Sequence, residues 1–587
     1  MGALAVAVLA LAALAPATPA FGACTAADSG VVDVSHTPTR PEGEESVSID
    51  PQNPSWVMAG ANEGPNGGGA NGTNETPAWW SHDAGCTWHA LLPDNGGVDL
   101  GSAIGAVGPL APEFKEVGNV LTADQHSAWD NHGNVYFSDI QVSGLREGDN
   151  AIRVAHSSDG GMTWEPPVTA FRGGTEPPPV GTEYALGGIP LDRPWLAVDR
   201  SGGPRDGTVY VTWETSPFSP GLPPEVFASA STDHGHTWSR AVRVDDGAYT
   251  TQFNPRQFPS VGADGALDVV YDMAGPTTTV VPGVQGGTIK LGLGVSTDGA
   301  QTFRRYVVDP DVHRLTDPDE ATPQYSETIS NLAADPYHPG RLAVVWPEAL
   351  SSTNSRVELR TSVDGGRTWS PRVDVADDPA NRDDQHDHVA ASFAPDGHLY
   401  VEWRDRRNGG GSYSGPYDVW ARQVTLGTDN SSRLGAVVRL TDRPQPATDI
   451  GNSNRNGTLS EFLGLATARG TLVTAFNQVE GSLTDTVFHR ISLEAFANAA
   501  TSPHGRRSCH GAHTVVVHLR GPRGHVRITR VAVFANHRRL HVRLIRHGRR
   551  IRIPLRGLPT GTVHVRLVIF KSNRHRDVDH RTYHVCS

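Results

Sequence analysis

Apolar and polar positions alternate with period two over short stretches along most of the chain. Seven stretches share one form, a turn followed by alternating residues rich in Val, Tyr and Trp: PSWVMAGAN, HGNVYFSDI, DGTVYVTWE, DGALDVVYD, PGRLAVVWP, DGHLYVEWR and RGTLVTAFN. That alternation predicts half-buried strands. After each comes a further strand-like run, such as IRVAHSS, EVFASAS, IKLGLGVS, VELRTSV, YDVWARQV and TVFHRIS. Helical periodicity is confined to LEAFANAATSPHGRRS, Leu493 to Ser508, which reads as a short helix running into a linker of Pro, Gly and Ser.

An octapeptide, S-x-D-x-G-x-T-W, recurs among these strands: SHDAGCTW from Ser81, SSDGGMTW from Ser157, STDHGHTW from Ser231, a weakened STDGAQTF from Ser296, and SVDGGRTW from Ser362. Asp83, Asp159, Asp233, Asp298 and Asp364 are read as structural: the carboxylate collects backbone N–H groups, Gly supplies a positive φ, and Trp plugs the turn from below. The starts lie 76, 74, 65 and 66 residues apart, which suits a four-stranded unit with variable loops. A radial array of about 67 residues per unit accounts for Cys24 to Leu493.

The octapeptide resembles that of the Asp-box (bacterial neuraminidase repeat) proteins of the sialidase-like β-propeller superfamily, and the resemblance spans nearly all of this region. It implies an all-β fold. Sialidases of the group have six blades, whereas seven strand copies favour seven here; six is the alternative if one copy is a terminal fragment closing the ring. The box occurs in sialidases, other glycosidases and non-catalytic binding propellers alike, so it speaks more to fold than to activity.

Beyond the linker the composition changes sign. From His504 to Ser587, 18 Arg and one Lys stand against Asp577 and Asp579, a balance of +17 in a chain of net charge −13, so the preceding residues carry −30. HTVVVHLR, HVRITRVAVFAN, LHVRLIR, RIRIPLR, GTVHVRLVIF and RTYHVC alternate apolar residues with Arg or His and predict a small immunoglobulin-like β-sandwich over 509–587. Its arginines suit an anionic cell-wall polymer, or docking on the acidic propeller. Aromatic residues are too scarce among them for specific nucleic-acid recognition. The domains are therefore 1–23, 24–493, a linker at 494–508, and 509–587.

Residues 1–23, uncharged and rich in Ala, Leu and Val with small residues at the end, read as a signal peptide, so the protein is expected to be secreted. No other run is apolar enough to span a bilayer. In an oxidising compartment the four cysteines are expected to pair locally, Cys24 with Cys86 and Cys509 with Cys586.

The seven alternating strands are expected to be the innermost ones along the central channel, so the chemistry is sought in the polar loops that enter them, at one mouth of that channel. Aligned on those strands, Glu45, His126, Arg193, Gln257, Glu327, His386 and Glu461 fall near one ring. Glu45, His126, Gln257, His386 and Glu461 are read as ligand-binding candidates, His126 and His386 equally as satisfied channel histidines. The resemblance implies three arginines clamping a substrate carboxylate, with Arg193, Arg256 and Arg404 as the candidates. It also implies a Tyr nucleophile polarised by a Glu, for which Tyr325 and Glu327 qualify. The family's Phe-Arg-Ile-Pro signature is absent, echoed only by Arg40-Pro41 and by Asp192-Arg193-Pro194-Trp195. Tyr413 and Tyr417 suggest an aromatic lip for a sugar. Asp383, Asp384, Asp387 and His388 could hold calcium, a solvated loop being the simpler reading; no metal site or other cofactor is assigned. No nucleophile elbow, phosphate loop, dinucleotide fingerprint or HExxH helix occurs. The function expected is a secreted sialidase-like glycosidase, specifically an exo-α-sialidase, or a non-catalytic propeller that binds a glycan or protein.

Overall fold

The computed structural model describes residues 28–35, 42–63, 76–90, 120–143, 150–173, 179–180, 191–215, 225–246, 256–274, 288–315, 330–351, 354–376, 384–408, 416–445, 463–480 and 483–501, then 514–518, 528–535, 538–540, 544–545, 550–554, 561–572 and 576–585. The chain divides into two units, Met1–Ala497 and Asn498–Ser587.

The larger unit is a seven-bladed β-propeller. Seven four-stranded antiparallel sheets follow one another along the chain, here blades I to VII. Their innermost strands are Glu42–Ile49, Val120–Trp129, Leu191–Val198, Phe258–Val261, Asn331–Ala334, His386–Phe393 and Gly464–Ala468. Each packs beside the innermost strand of the next blade, and that of blade VII beside that of blade I, so the ring is complete. Blade VII takes its outermost strand from the start of the chain: Asp28–Asp33 pairs with Leu483–Ser492, Val32 opposite Phe488. The ring is thus shut by main-chain hydrogen bonds rather than by a terminal fragment standing as a blade.

The seven alternating runs of the sequence are the second strands, Val57–Glu63 to Thr471–Glu480, and not the innermost ones. The polar segments before them, expected as loops, are themselves the strands that line the channel. The reason is physical: a strand of four to ten residues that meets its neighbours at the axis has no wide apolar face to bury, so it lacks the alternation that betrays the second strand.

Among the described residues each of the seven interfaces between blades has its own buried apolar cluster. Trp213, Trp346 and Trp403 are fully buried in three of them. The octapeptides join the third strand to the fourth and add to these clusters. Trp88, Trp164, Trp238, Phe303 and Trp369 pack against the interface with the preceding blade. In the third copy Asp233 accepts hydrogen bonds from Thr237 N (2.9 Å), Thr237 Oγ1 (2.6 Å) and Ser231 Oγ (2.8 Å), while Trp238 Nε1 donates to Gly235 O (3.1 Å). Gly235 has φ +86°, and the weakened copy places Ala300 in the same left-handed region at φ +63°. The expected Asp, Gly and Trp roles are therefore those observed.

Phe496, in the helix Glu494–Thr501, is buried against Tyr400. The start of the expected linker thus belongs to the propeller core. The smaller unit consists of two antiparallel sheets, one of Thr514–His518, Arg550–Pro554 and Leu544–Ile545, the other of Arg538–Leu540, Ile528–Ala535, Gly561–Lys571 and Arg576–Val585. Cys24, Cys509 and Cys586, like residues 1–23, lie outside the described residues. No helix among the described residues is long and apolar enough to cross a membrane.

Burial alone would raise the Asp233 carboxyl, but its hydrogen bonds from Thr237 and Ser231 outweigh that and hold it at about 2. A depressed carboxylate pKa stabilises the fold above the unfolded value and loses that contribution as pH falls toward the folded one. Asp233→Ala is expected to destabilise by about 1–3 kcal/mol at neutral pH. In urea titrations the gap from wild type should narrow between about pH 5 and pH 3; an undiminished gap would refute the carboxylate's role.

Candidate active site

At the start of the innermost strands the backbone leaves the ladder in the same way in blade after blade. Glu44 (φ +58°), Asp124 (φ +55°), Arg193 (φ +52°), Arg256 (φ +48°) and His388 (φ +44°) are all left-handed without being glycine. The register of the innermost pair shifts beside four of them, between Gly43 and Ser46, Ala123 and His126, Asp192 and Trp195, and Asp387 and Val389. Each such residue costs on the order of 1–3 kcal/mol and persists only where its surroundings over-determine it.

Those surroundings are side chains of the neighbouring blades. Bulges free backbone N–H and C=O groups, which must find partners when buried. Asp124 N donates to Asn62 Oδ1 of blade I (3.0 Å), Arg193 N to Asp124 Oδ2 of blade II (3.1 Å), and Gln257 N to Glu214 Oε2 of blade III (3.1 Å). In the other direction Gln125 Nε2 donates to Glu44 O (2.7 Å) and Gln257 Nε2 to Arg193 O (2.7 Å). Every link crosses from one blade to the next.

These groups surround a crevice of about 60 Å³ lined by Glu45, His126, Arg193, Arg256 and Gln257 among others. Five sequence-predicted residues therefore meet at one mouth. His126 faces Trp195 edge-on at 4.7 Å and accepts Leu196 N through Nδ1 (3.2 Å). Burial pushes it down to about 3, so it is a neutral channel histidine at physiological pH.

Arg193 donates to Glu214 (3.2 Å), and burial pushes the Glu214 carboxyl up to about 8 against the pull of Arg193. Asp272 accepts Ser330 Oγ (3.2 Å); burial likewise pushes it up to about 8, although Arg314 and Arg256 act the other way. Asp124, half-buried, is pushed up to about 6 by burial and by the neighbouring Glu44 carboxylate. Arg256 is 2% exposed. Among the described residues its guanidinium makes no ion pair or hydrogen bond, although it lines the crevice.

The remaining candidates lie elsewhere. Arg404, on the second strand of blade VI, donates through Nε to Asp387 (2.5 Å) beside Arg406 (2.5 Å to the other oxygen), and both guanidinium groups stack on Tyr417, at 5.0 and 5.8 Å. It does not line the crevice, so only two of the three expected clamp arginines meet there. His386 sits between blades V and VI, Nδ1 at 2.8 Å from Ser355 O and Nε2 at 3.3 Å from Asp405. The bulge after Asp387 turns Val389, Ala390 and Ala391 toward the crevice in its place. Tyr417 is no lip: it is fully buried, donates to Asn477 Oδ1 (3.0 Å), and burial raises it to about 12. Asp387 is occupied by two guanidinium groups and His388 Nδ1 (3.0 Å), which leaves the suggested calcium cluster without its central carboxylate. Among the described residues no three His, Cys, Asp or Glu side chains are grouped to hold a metal ion. Tyr325, Glu327, Glu461, Asp383 and Tyr413 lie outside the described residues.

Asp124, Glu214 and Asp272 were missed. The signal for Glu214 and Asp272 was present, because the apolar run of the second strand gives way to a polar residue in every blade: Asn62, Asp139, Glu214, Asp272, Glu348, Asp405 and Asn477.

No protein-family model matches the chain, and no curated protein does. Among solved structures it is similar to an α-L-arabinofuranosidase from Fusarium graminearum (12% identity over 80% of this chain and 99% of that one, TM-score 0.40). It is also similar to an intramolecular trans-sialidase from leech (12% identity, 81% and 95% covered, TM-score 0.37). A sialidase from Streptococcus pneumoniae is a third (12% identity, 79% and 70% covered, TM-score 0.39). At these scores the likenesses carry no argument about activity, and the seven blades rest on the sheet order itself.

Although burial alone would raise it, the Asp387 carboxyl is held well below the usual range by Arg404 and Arg406. Removing it strands two buried guanidinium groups. Asp387→Ala is expected to cost about 3–5 kcal/mol in denaturant unfolding; a loss under about 1 kcal/mol would contradict the pairing.

Proposed function

We propose that the protein is a glycan-processing propeller that hydrolyses a glycosidic bond at the Arg193 and Arg256 mouth. The observation that carries this reading is the set of charged groups gathered there: Glu45, Arg193 and Arg256 line the crevice, and Asp124, whose carboxyl burial and Glu44 push up to about 6, accepts a hydrogen bond from Arg193 N (3.1 Å). Glycoside hydrolysis requires one carboxylic acid that keeps its proton near neutral pH and a second carboxylate that stays ionised. Asp124 would protonate the departing glycosidic oxygen, and Glu45, on the crevice wall, would act on water or on the anomeric carbon. Arg193 and Arg256 would bind the sugar, and a carboxylate on it would pair best with Arg256. An exo-α-sialidase is the specific form of this reading, secreted as its N-terminal segment suggests.

As a general acid Asp124 must be protonated, so kcat/KM is expected to fall about tenfold per pH unit above about pH 6. Asp124→Asn should lower kcat by about 10²–10⁴-fold and leave thermal unfolding nearly unchanged. The decisive assay offers the full chain a panel of fluorogenic sialosides, arabinosides and other aryl glycosides. Turnover abolished in Asp124→Asn supports the proposal. No turnover on any member, with glycan binding retained, would replace it by a non-catalytic carbohydrate-binding propeller.

A further inference from the structure

The channel has a second end. Where the innermost strands finish, their side chains and the turns that follow enclose a cavity of about 370 Å³, larger than the crevice at the first mouth. His126 and Phe258 wall both spaces, and Trp195 closes a ring cluster with them at 4.7, 6.1 and 5.5 Å between centroids.

This cavity has an unusual charge balance for a chain of net charge −13. Two guanidinium groups, Arg200 and Arg469, line it, and among the described residues no carboxylate does. The nearby acids are turned into their own turns: Asp50 accepts Gln52 N (2.7 Å), Asp130 accepts His132 N (2.7 Å), and Asp335 accepts Tyr337 N (2.8 Å). Asp50 and Asp130 act on Arg200 electrostatically, but among the described residues its guanidinium makes neither hydrogen bond nor ion pair. Among the described residues Arg469 donates only to Gln52 Oε1 (3.1 Å), an amide that brings no compensating charge. Tyr337, 45% exposed, offers a ring at the rim. At the first mouth, by contrast, Arg193 has a carboxylate partner in Glu214.

We propose that this end of the channel is a second binding site, for a small polar molecule bearing one anionic group, carboxylate, sulfate or phosphate, taken between Arg200 and Arg469. Guanidinium groups bind such anions through paired hydrogen bonds, and the partly buried setting of Arg200 weakens screening by water. The volume admits a bare anion or an acidic monosaccharide lying against Tyr337. The inference does not depend on hydrolysis at the other mouth.

The test titrates the full chain calorimetrically with sulfate, galacturonate and galactose at constant chloride ionic strength. Sulfate and galacturonate are expected to bind and galactose not. Arg200→Met, and separately Arg469→Met, should weaken both anions at least tenfold, whereas Arg433→Met, exposed on an outermost strand, should leave them unchanged. Tighter galacturonate than sulfate identifies an acidic sugar as the ligand; the reverse order identifies a free anion. Binding of galactose equal to galacturonate, unchanged affinity in both cavity variants, or loss of binding in Arg433→Met would overturn the proposal.

Discussion

Everything at the channel mouth depends on hydrogen bonds that run between blades instead of within them. Seven innermost strands converge on one axis, and there the backbone bulges into the left-handed region at Glu44, Asp124, Arg193, Arg256 and His388. Backbone groups at or beside Glu44, Asp124, Arg193 and Arg256 are caught by Asn62, Asp124, Gln125, Glu214 and Gln257, each reaching from an adjacent blade. A blade alone lacks these partners, so the mouth takes its shape only where neighbouring blades pack.

Two kinds of buried charged group divide the work. Arg404 and Arg406 with Asp387 form a closed ion network over Tyr417, in which attraction offsets desolvation and specificity of packing is the gain. Arg256 is different: it is buried and left-handed, and among the described residues Glu214 and Asp272 act on it only electrostatically, with no hydrogen bond or close ion pair, so it costs stability on two counts for little structural return. Uncompensated features of this kind are found at functional sites, where stability and function pull apart.

Local signals made the fold legible. The octapeptide turn closes within eight residues, so its Asp, Gly and Trp reveal their roles by spacing alone, and the repeated second strands supplied the number of blades. The innermost strands were hidden because Pro194, charged residues and the bulges interrupt their alternation. For the site, Glu45, His126, Arg193, Arg256 and Gln257 could be found by aligning segments to the repeat. The couplings that define its chemistry could not, since Asn62 meets Asp124 and Glu214 meets Gln257 only once neighbouring blades pack. Tyr417 was misread from its Gly-rich neighbourhood, although it continues the buried alternation of Val419 and Ala421.

The central claim is that the mouth arginine is kept for a ligand and not for the fold. The most direct measurement is the unfolding free energy of Arg256→Gly in denaturant, without any ligand. Glycine accepts a φ of +48° freely and removes a buried charge, so the variant should be as stable as wild type or more stable by about 1 kcal/mol. A loss of about 2 kcal/mol or more would mean that Arg256 is a structural residue and would contradict the account.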